Sequence, residues 1–248
     1  MKKLLFSTFI ASLTLLGFSQ SAMAAETGTV AGVWTCSFLP GKDMEDLTTW
    51  RDFYAAQLEE LDSEEAQSVS AFMWTPRFSG AEVDLVWFEY HENLNVSSRA
   101  IAAYDASGIG AAVDGMWESI VDCQSSQSFR RQIYAGDRFN VTPPVIVESF
   151  RCVFNPGMGY TEVEDALGRW SSVLDELPQT DEFVAYMFTP FHSAIGFDVS
   201  FYGVYDNIID YGAMTTDYLT SSSGQQMDAR WREIQKCESR LWNANRMM

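Results

Sequence analysis

The chain of 248 residues carries 34 acidic and 16 basic side chains, which give a formal net charge of −18 at pH 7. This charge excludes nucleic acid as an expected partner, because phosphate binding requires clustered lysine and arginine. It argues equally against docking on an anionic membrane surface. An acidic surface is instead typical of a protein that self-repulsion keeps in solution.

The first 24 residues have the three parts of a secretory signal peptide. Lys2 and Lys3 precede an apolar stretch that runs from Leu4 to about residue 18, and the small-residue segment 22–24 ends at Ala24. A transmembrane anchor is the competing interpretation, but the stretch contains Ser and Thr and is shorter than the ~20 residues of a spanning helix. We therefore expect cleavage after Ala24, no membrane insertion afterwards, and a periplasmic or secreted protein.

The first half reads as strand, helix, two strands, helix and strand. Asp43 is a suitable N-cap for a helix over 44–61, in which apolar residues recur at helical spacing. A helical stretch over 97–121 is interrupted by Gly108 and Gly110, which predicts two pieces. The predicted strands are 33–38, 68–74, 82–90 and a last one containing Cys123.

The second half repeats this order. Thr75-Pro76 recurs as Thr189-Pro190, and every matched residue from there to the last cysteine of each half keeps a spacing of 114 residues. The corresponding segments are 151–154, 161–174, 183–188, 197–205, 211–218 with 226–234, and the surroundings of Cys237. We therefore predict two copies of one unit, 25–135 and 136–248, with 130–144 as a surface crossover between them.

Four cysteines in an exported chain suggest two disulfides, for which three connectivities exist. The repeat favours Cys36 with Cys123 and Cys152 with Cys237, because each bond then joins the start of one copy to its end. A zinc site is the alternative, but the chain has no C-x-x-C pair and its two histidines are remote from the cysteines. No bound metal is expected.

Both faces of the third predicted strand are largely apolar, so both must be covered. One face carries Val83, Leu85 and Trp87, and the other carries Asp84, Val86, Phe88 and Tyr90. Helices can cover one face, and the sheet of the other copy is the obvious cover for the second.

Element order, unit length and duplication resemble the dimeric α+β barrel superfamily, in which two ferredoxin-like β-α-β-β-α-β units close their sheets around a shared interior. The resemblance implies an α+β fold with two tandem ferredoxin-like units in one chain, whose antiparallel sheets form one pseudo-twofold α+β barrel. A monomer then suffices. The first and last strands of each unit would be neighbours, which suits the disulfides. Members include cofactor-independent monooxygenases, haem-dependent enzymes, isomerases and ligand binders, and no catalytic motif of theirs can be carried over.

Four residues are candidates for catalysis. Asp84 and Asp198 stand in otherwise apolar strands, where each either caps a neighbouring turn or acts as an acid or base with a raised pKa. His91 lies two residues from Glu89, on the same strand face, and a nearby carboxylate can orient a histidine and raise its pKa. A solvated histidine at a strand end is the alternative.

The chain offers little for a cofactor. His192 could in principle ligate haem iron, but no C-x-x-C-H motif accompanies it. Neither G-x-S-x-G nor the phosphate-binding and dinucleotide-binding glycine motifs occur. We expect no cofactor.

Aromatic residues make up 14% of the chain and concentrate in the middle strands. Rings between the two sheets would form either a pocket for a small apolar or aromatic ligand or a filled core. The candidate ligand-binding residues are Trp74, Trp87, Phe88, Tyr90, Phe188, Phe201, Tyr202 and Tyr205. Three functions follow: an exported binder of a small organic molecule, a cofactor-independent enzyme of proton transfer or oxygenation, and a structural protein without a ligand site.

Overall fold

The computed structural model describes residues 29–78, 83–137, 142–178, 180–193 and 196–248. The predicted signal peptide lies outside them. The described chain is a mixed α+β structure in which eight antiparallel strands close into a barrel in the order β1-β3-β2-β8-β5-β7-β6-β4. Every strand belongs to this one chain, so the barrel needs no second chain to close.

The helices lie between the strands in chain order, with an added short helix α2 that the sequence analysis did not predict. The strands are β1 (Thr29–Phe38), β2 (Ser70–Pro76), β3 (Leu85–His91), β4 (Val121–Ala135), β5 (Val145–Phe154), β6 (Phe183–Ser193), β7 (Val199–Tyr205) and β8 (Gln235–Arg246). The helices are α1 (Met44–Glu60), α2 (Glu64–Gln67), α3 (Leu94–Ser107), α4 (Gly110–Glu118), α5 (Tyr160–Asp175), α6 (Ile208–Thr220) and α7 (Ser222–Ile234).

Two strand pairs join the halves. β2 pairs with β8 from Phe72 opposite Arg246 to Pro76 opposite Trp242, and β4 pairs with β6 up to Ala135. The second pairing corrects a prediction, because part of the expected surface crossover belongs to β4. That stretch of β4 begins with three polar residues, which hid the strand from the sequence analysis, yet it pairs with β6 along one edge.

Alternation along each strand divides its side chains between the barrel interior and the helix-covered outside. In β3, Leu85 and Trp87 pack under the helices of the first half, whereas Val86 and Phe88 point inward. The predicted alternation is confirmed over these positions. Val83 precedes β3 and packs with the inward cluster, so it does not share the face of Leu85.

Both predicted disulfides are confirmed. Cys36 bonds Cys123, and Cys152 bonds Cys237, each across neighbouring strands with a Cα–Cα distance of 4.1 Å. Each pair is in direct register, in β1 with β4 and in β5 with β8. The bonds therefore fix the first strand of each half against its last.

The two candidate aspartates hold turns beside these disulfides. Asp84 Oδ2 accepts a hydrogen bond from the Phe38 backbone N–H at 2.8 Å, and Asp198 Oδ2 accepts one from Phe154 N–H at 2.7 Å. Asp84 is exposed and both residues precede their strands, outside the barrel interior. This position matches the capping alternative, because each carboxylate satisfies a backbone donor where the strand ends.

Candidate functional site

The barrel interior is a packed aromatic core. The rings of Trp74 and Phe88 are 4.0 Å apart between centroids, and those of Phe188 and Tyr202 are 4.5 Å apart. Phe88 and Phe188 also meet, so rings from both halves interdigitate. Inward-facing rings from both halves therefore pack against one another between the halves, as in the filled-core alternative.

The eight predicted ligand-binding aromatics divide between two environments. Five belong to the interior core: Trp74, Phe88, Tyr90, Phe188 and Tyr202. Three face the helices: Trp87, Phe201 and Tyr205. Each of these three lines one of two cavities between sheet and helices, which we call the first and the second cavity after their halves.

The first cavity has a volume of about 280 Å³ and lies between strands β1 and β3 and helices α1, α3 and α4. Its walls are aromatic and aliphatic, and its polar side chains include carboxylates and a histidine. The lining includes Trp50, Tyr54, Trp87, Glu89, His91, Ile101, Tyr104, Asp105, Asp114 and Trp117. The predicted partners Glu89 and His91 therefore do share a cavity, on the helix side of the sheet.

Glu89 is held by two donors rather than by His91. Its Oε1 accepts a hydrogen bond from Tyr54 OH at 3.1 Å and another from Trp87 Nε1 at 3.0 Å. Burial raises the pKa of Glu89, the two hydrogen bonds oppose the rise, and the nearby carboxylate of Asp114 adds to it. The pair of donors fixes the carboxylate at the cavity wall.

His91 Nδ1 makes no hydrogen bond to Glu89, although the two residues were predicted to act as a pair. Its side chain is buried, and Nδ1 has no hydrogen-bond partner among the described residues. Burial lowers the pKa of His91, and Glu89 is not among the causes of that shift, whereas a paired carboxylate would raise it. His91 is thus a neutral imidazole with one unused nitrogen in the wall of the first cavity.

The second cavity has a volume of about 370 Å³ and lies between strands β5, β6 and β7 and helices α5, α6 and α7. Trp170 and Trp231 form part of its helix side, and Phe150 and Phe201 part of its sheet side. Glu148 is a half-buried acid in its wall. Burial raises the pKa of this residue to about 7, and a hydrogen bond from Tyr205 opposes the rise. The site combines apolar walls with one carboxyl group near its titration point.

In each cavity a glutamate lies directly opposite a glycine on the neighbouring strand, but the two halves carry the glutamate on different strands of the repeat. In the first half Glu89 of β3 lies opposite Gly32 of β1, and in the second half Glu148 of β5 lies opposite Gly203 of β7. A Cβ on Gly32 would lie 2.7 Å from the Trp34 ring, and one on Gly203 would lie 2.9 Å from the Phe183 ring. In each half, glycine makes room for an aromatic ring next to the acid.

Sequence reasoning missed Glu148 and Tyr54. Glu148 has no counterpart acid at the matching position of the first half, where Gly32 stands, so the repeat did not draw attention to it. The available signal was an acid within the apolar run of β5, the same signal that pointed to Asp84 and Asp198. Tyr54 was counted only among the apolar residues of α1, and its contact with Glu89 depends on the tertiary fold.

Solved structures supply the comparison. A candidate chlorite dismutase aligns over 88% of this chain and 95% of its own at a TM-score of 0.57 and 12% identity. A candidate monooxygenase from Fusobacterium nucleatum aligns over 90% of this chain and 94% of its own at a TM-score of 0.58 and 9% identity. The fold is an α+β barrel. At such identities the likeness shows the fold alone.

A third neighbour agrees with these two. The chlorite dismutase of Candidatus Nitrospira defluvii in complex with imidazole aligns over 90% of this chain and 93% of its own, with a TM-score of 0.56 and 8% identity. No protein-family model and no curated protein matches the chain. Function must therefore be argued from this chain's own residues.

In the described part of the chain, the candidate haem ligand His192 lies apart from both cavities. His192 is exposed near the end of β6, where its ring contacts Phe191 at 5.2 Å, and it lines neither cavity. The described lining of the second cavity contains no histidine, and its Cys237 is in a disulfide. No group of three His, Cys, Asp or Glu in the described segments could hold a metal ion. Within the same segments, no helix is long and apolar enough to cross a membrane.

The raised pKa of Glu148 predicts a pH-dependent stability. Between its ordinary value of 4.5 and about 7, the folded protein keeps a proton on Glu148 that the unfolded chain has lost. The contribution of this group to the free energy of unfolding therefore falls as pH rises through that window. We expect Glu148→Gln to gain stability relative to the parent protein between about pH 5 and pH 8.

Urea unfolding of both proteins at the two pH values measures this difference. The quantity compared is the difference in the free energy of unfolding between the parent protein and the variant. Groups that titrate in both proteins contribute equally to both values, so their contributions cancel in this difference. Glu59→Gln, on an exposed position of α1, is the matched control and is expected to leave the pH dependence unchanged. An identical pH dependence in Glu148→Gln and the parent would contradict the shift.

Proposed function

We propose that this is an exported protein that binds a small apolar or aromatic molecule in the second cavity. The observation that carries the proposal is a cavity of about 370 Å³ walled in part by tryptophan and phenylalanine, with the half-buried carboxyl group of Glu148 beside them. Binding pockets for small molecules are typically of this size and are mainly apolar with few polar groups.

Two features favour a neutral ligand. Asp228 Oδ2, the other carboxylate of the lining, pairs with Arg232 at 2.6 Å, so its charge is compensated. Burial raises the pKa of Glu148 to about 7, so at neutral pH this carboxyl group is protonated in a large share of the protein molecules. Such a carboxyl can donate a hydrogen bond to a ligand oxygen or accept one from a hydroxyl.

A fluorescent probe tests the binding. We expect N-phenyl-1-naphthylamine, a neutral aromatic molecule, to gain fluorescence on mixing with the protein. Thr215→Trp places an indole in the second cavity and is expected to abolish the gain, because the added ring occupies the ligand's space. Ile101→Trp is the matched control, since Ile101 holds the corresponding position on α3 and lines the first cavity.

Probe fluorescence in the two variants shows whether the probe binds in the second cavity. Loss of probe fluorescence in Thr215→Trp with retention in Ile101→Trp supports the proposed site. Equal loss in both variants, or no gain in the parent protein, contradicts it. Thermal unfolding of both variants, followed by circular dichroism, checks that each one is folded.

Export is supported by the signal-like residues 1–24 and by two disulfides, which are typical of oxidising compartments. Expression of the whole chain in a bacterial host is expected to yield a mature protein that begins at residue 25. An intact mass and N-terminal sequence of the fraction outside the inner membrane measure this. A full-length protein retained in the cytoplasm would contradict export.

A further inference from the structure

The first cavity differs from the second in its charge. Its lining includes three carboxylates, Glu89, Asp105 and Asp114, and contains no lysine or arginine among the described residues. The arginine of α3, Arg99, pairs instead with Glu65 at 3.0 Å, and Glu65 is not in the cavity lining. The carboxylates therefore lack a cation of the protein within the cavity.

The corresponding aspartate of the second cavity is compensated. Asp114 and Asp228 keep the repeat spacing and line the first and second cavities respectively. Asp228 pairs with Arg232, whereas Asp114 accepts a hydrogen bond from Tyr104 OH at 2.9 Å. A tyrosine hydroxyl orients the carboxylate of Asp114 without neutralising it, so the negative charge of the first cavity remains.

Aromatic rings form the rest of the enclosure. The ring centroid of Trp50 lies 5.2 Å from Tyr54 in a stacked contact, 5.1 Å from Trp87 edge-on and 4.4 Å from Trp117. Tyr104 completes the group at 6.3 Å from Tyr54. Ring faces attract cations, and the attraction is stronger where water is excluded.

His91 adds a directional contact. His91 is 9% exposed, lines the cavity and leaves Nδ1 without a hydrogen-bond partner among the described residues. Burial lowers the pKa of His91, so the imidazole is neutral and does not repel a cation. A buried polar atom without a partner is costly, and a ligand hydroxyl or amide can satisfy it.

We propose that the first cavity binds a small organic cation, a substituted ammonium ion that also carries a hydrogen-bonding group. The cation lies against Trp50 and its neighbouring rings with Glu89 as counter-charge, and the polar group of the ligand meets His91. Exposed Ile101 and Asp105 on α3 mark the open side of the cavity, through which such an ion enters. The site is separate from the second cavity and does not depend on the function proposed there.

Choline and its neutral isostere 3,3-dimethylbutan-1-ol test the charge requirement, because they share shape and hydroxyl group. Isothermal titration calorimetry of the parent protein is expected to show choline binding at least about tenfold more tightly than the alcohol. Equal affinities for the two compounds, or no detectable choline binding at millimolar concentration, overturn the proposal. This comparison requires no variant, so it does not depend on any substitution folding.

Two variants then locate the site. Glu89→Gln keeps the size of the side chain and removes its charge, and is expected to weaken choline at least about tenfold while leaving the alcohol unchanged. Glu148→Gln makes the same change in the second cavity and is expected to retain the affinity for choline. Choline affinity that survives Glu89→Gln, or that falls only in Glu148→Gln, overturns the assignment to the first cavity.

Discussion

Removing the Cys36–Cys123 disulfide by the double substitution Cys36→Ala and Cys123→Ala is expected to lower the free energy of unfolding by about 4 to 5 kcal/mol. The bond joins residues 87 positions apart, so its loss frees a long loop in the unfolded chain. Alanine is suitable because Cys36 is fully buried beside apolar neighbours, where a serine hydroxyl would lack a partner.

The second disulfide supplies the matched comparison. Cys152→Ala with Cys237→Ala opens a loop of 85 residues between strands in the same relation, so an almost equal loss is expected. Urea unfolding of the two double variants, with the parent protein in parallel, gives the differences. A loss below about 1 kcal/mol in both would show that the bonds do not restrict the unfolded chain as expected.

Phe188→Ala is expected to lower the free energy of unfolding by about 3 to 5 kcal/mol. Phe188 is 2% exposed, and its ring centroid lies 4.5 Å from that of Tyr202 in the same half and 6.3 Å from that of Phe88 in the other half. The substitution leaves a void between rings that cannot collapse onto it, because both sheets are hydrogen-bonded around the closed barrel.

An exposed phenylalanine separates this effect from the general loss of a ring. Phe78 is 69% exposed, so Phe78→Ala is expected to change stability by less than about 0.5 kcal/mol. Urea unfolding measures both variants. If Phe188→Ala were as mild as Phe78→Ala, the interior would be loosely packed and would have room for a ligand.

Local signals predicted the elements well where one pattern dominated. Asp43 caps α1 and accepts hydrogen bonds from the Glu45 and Asp46 backbones, as its place before the apolar periodicity indicated. Gly108 takes φ of 77° between α3 and α4, which is why the predicted helical stretch divides there. Polar β4 was predicted only at its start, because its partners in β1 and β6 are far away in sequence.

The candidate site was only half predictable. Both faces of β3 are apolar, so alternation alone could not tell which face turns inward, and Trp87 and Phe88, on opposite faces, were both expected to bind the ligand. Glu89 and His91 were found because they stand at the polar end of that strand. Their actual partners, Tyr54 for Glu89 and none for His91 Nδ1 among the described residues, follow from helix packing over the sheet.

The central claim is that ligands bind between the barrel sheet and its helices, not inside the barrel. A crystal structure of the protein soaked with 4-bromophenol tests it most directly, because the anomalous signal of bromine locates the ring. We expect a bromine peak in the second cavity, against Trp170 and Trp231. A peak in the barrel interior beside Phe88 and Phe188, or none in either cavity, would contradict it.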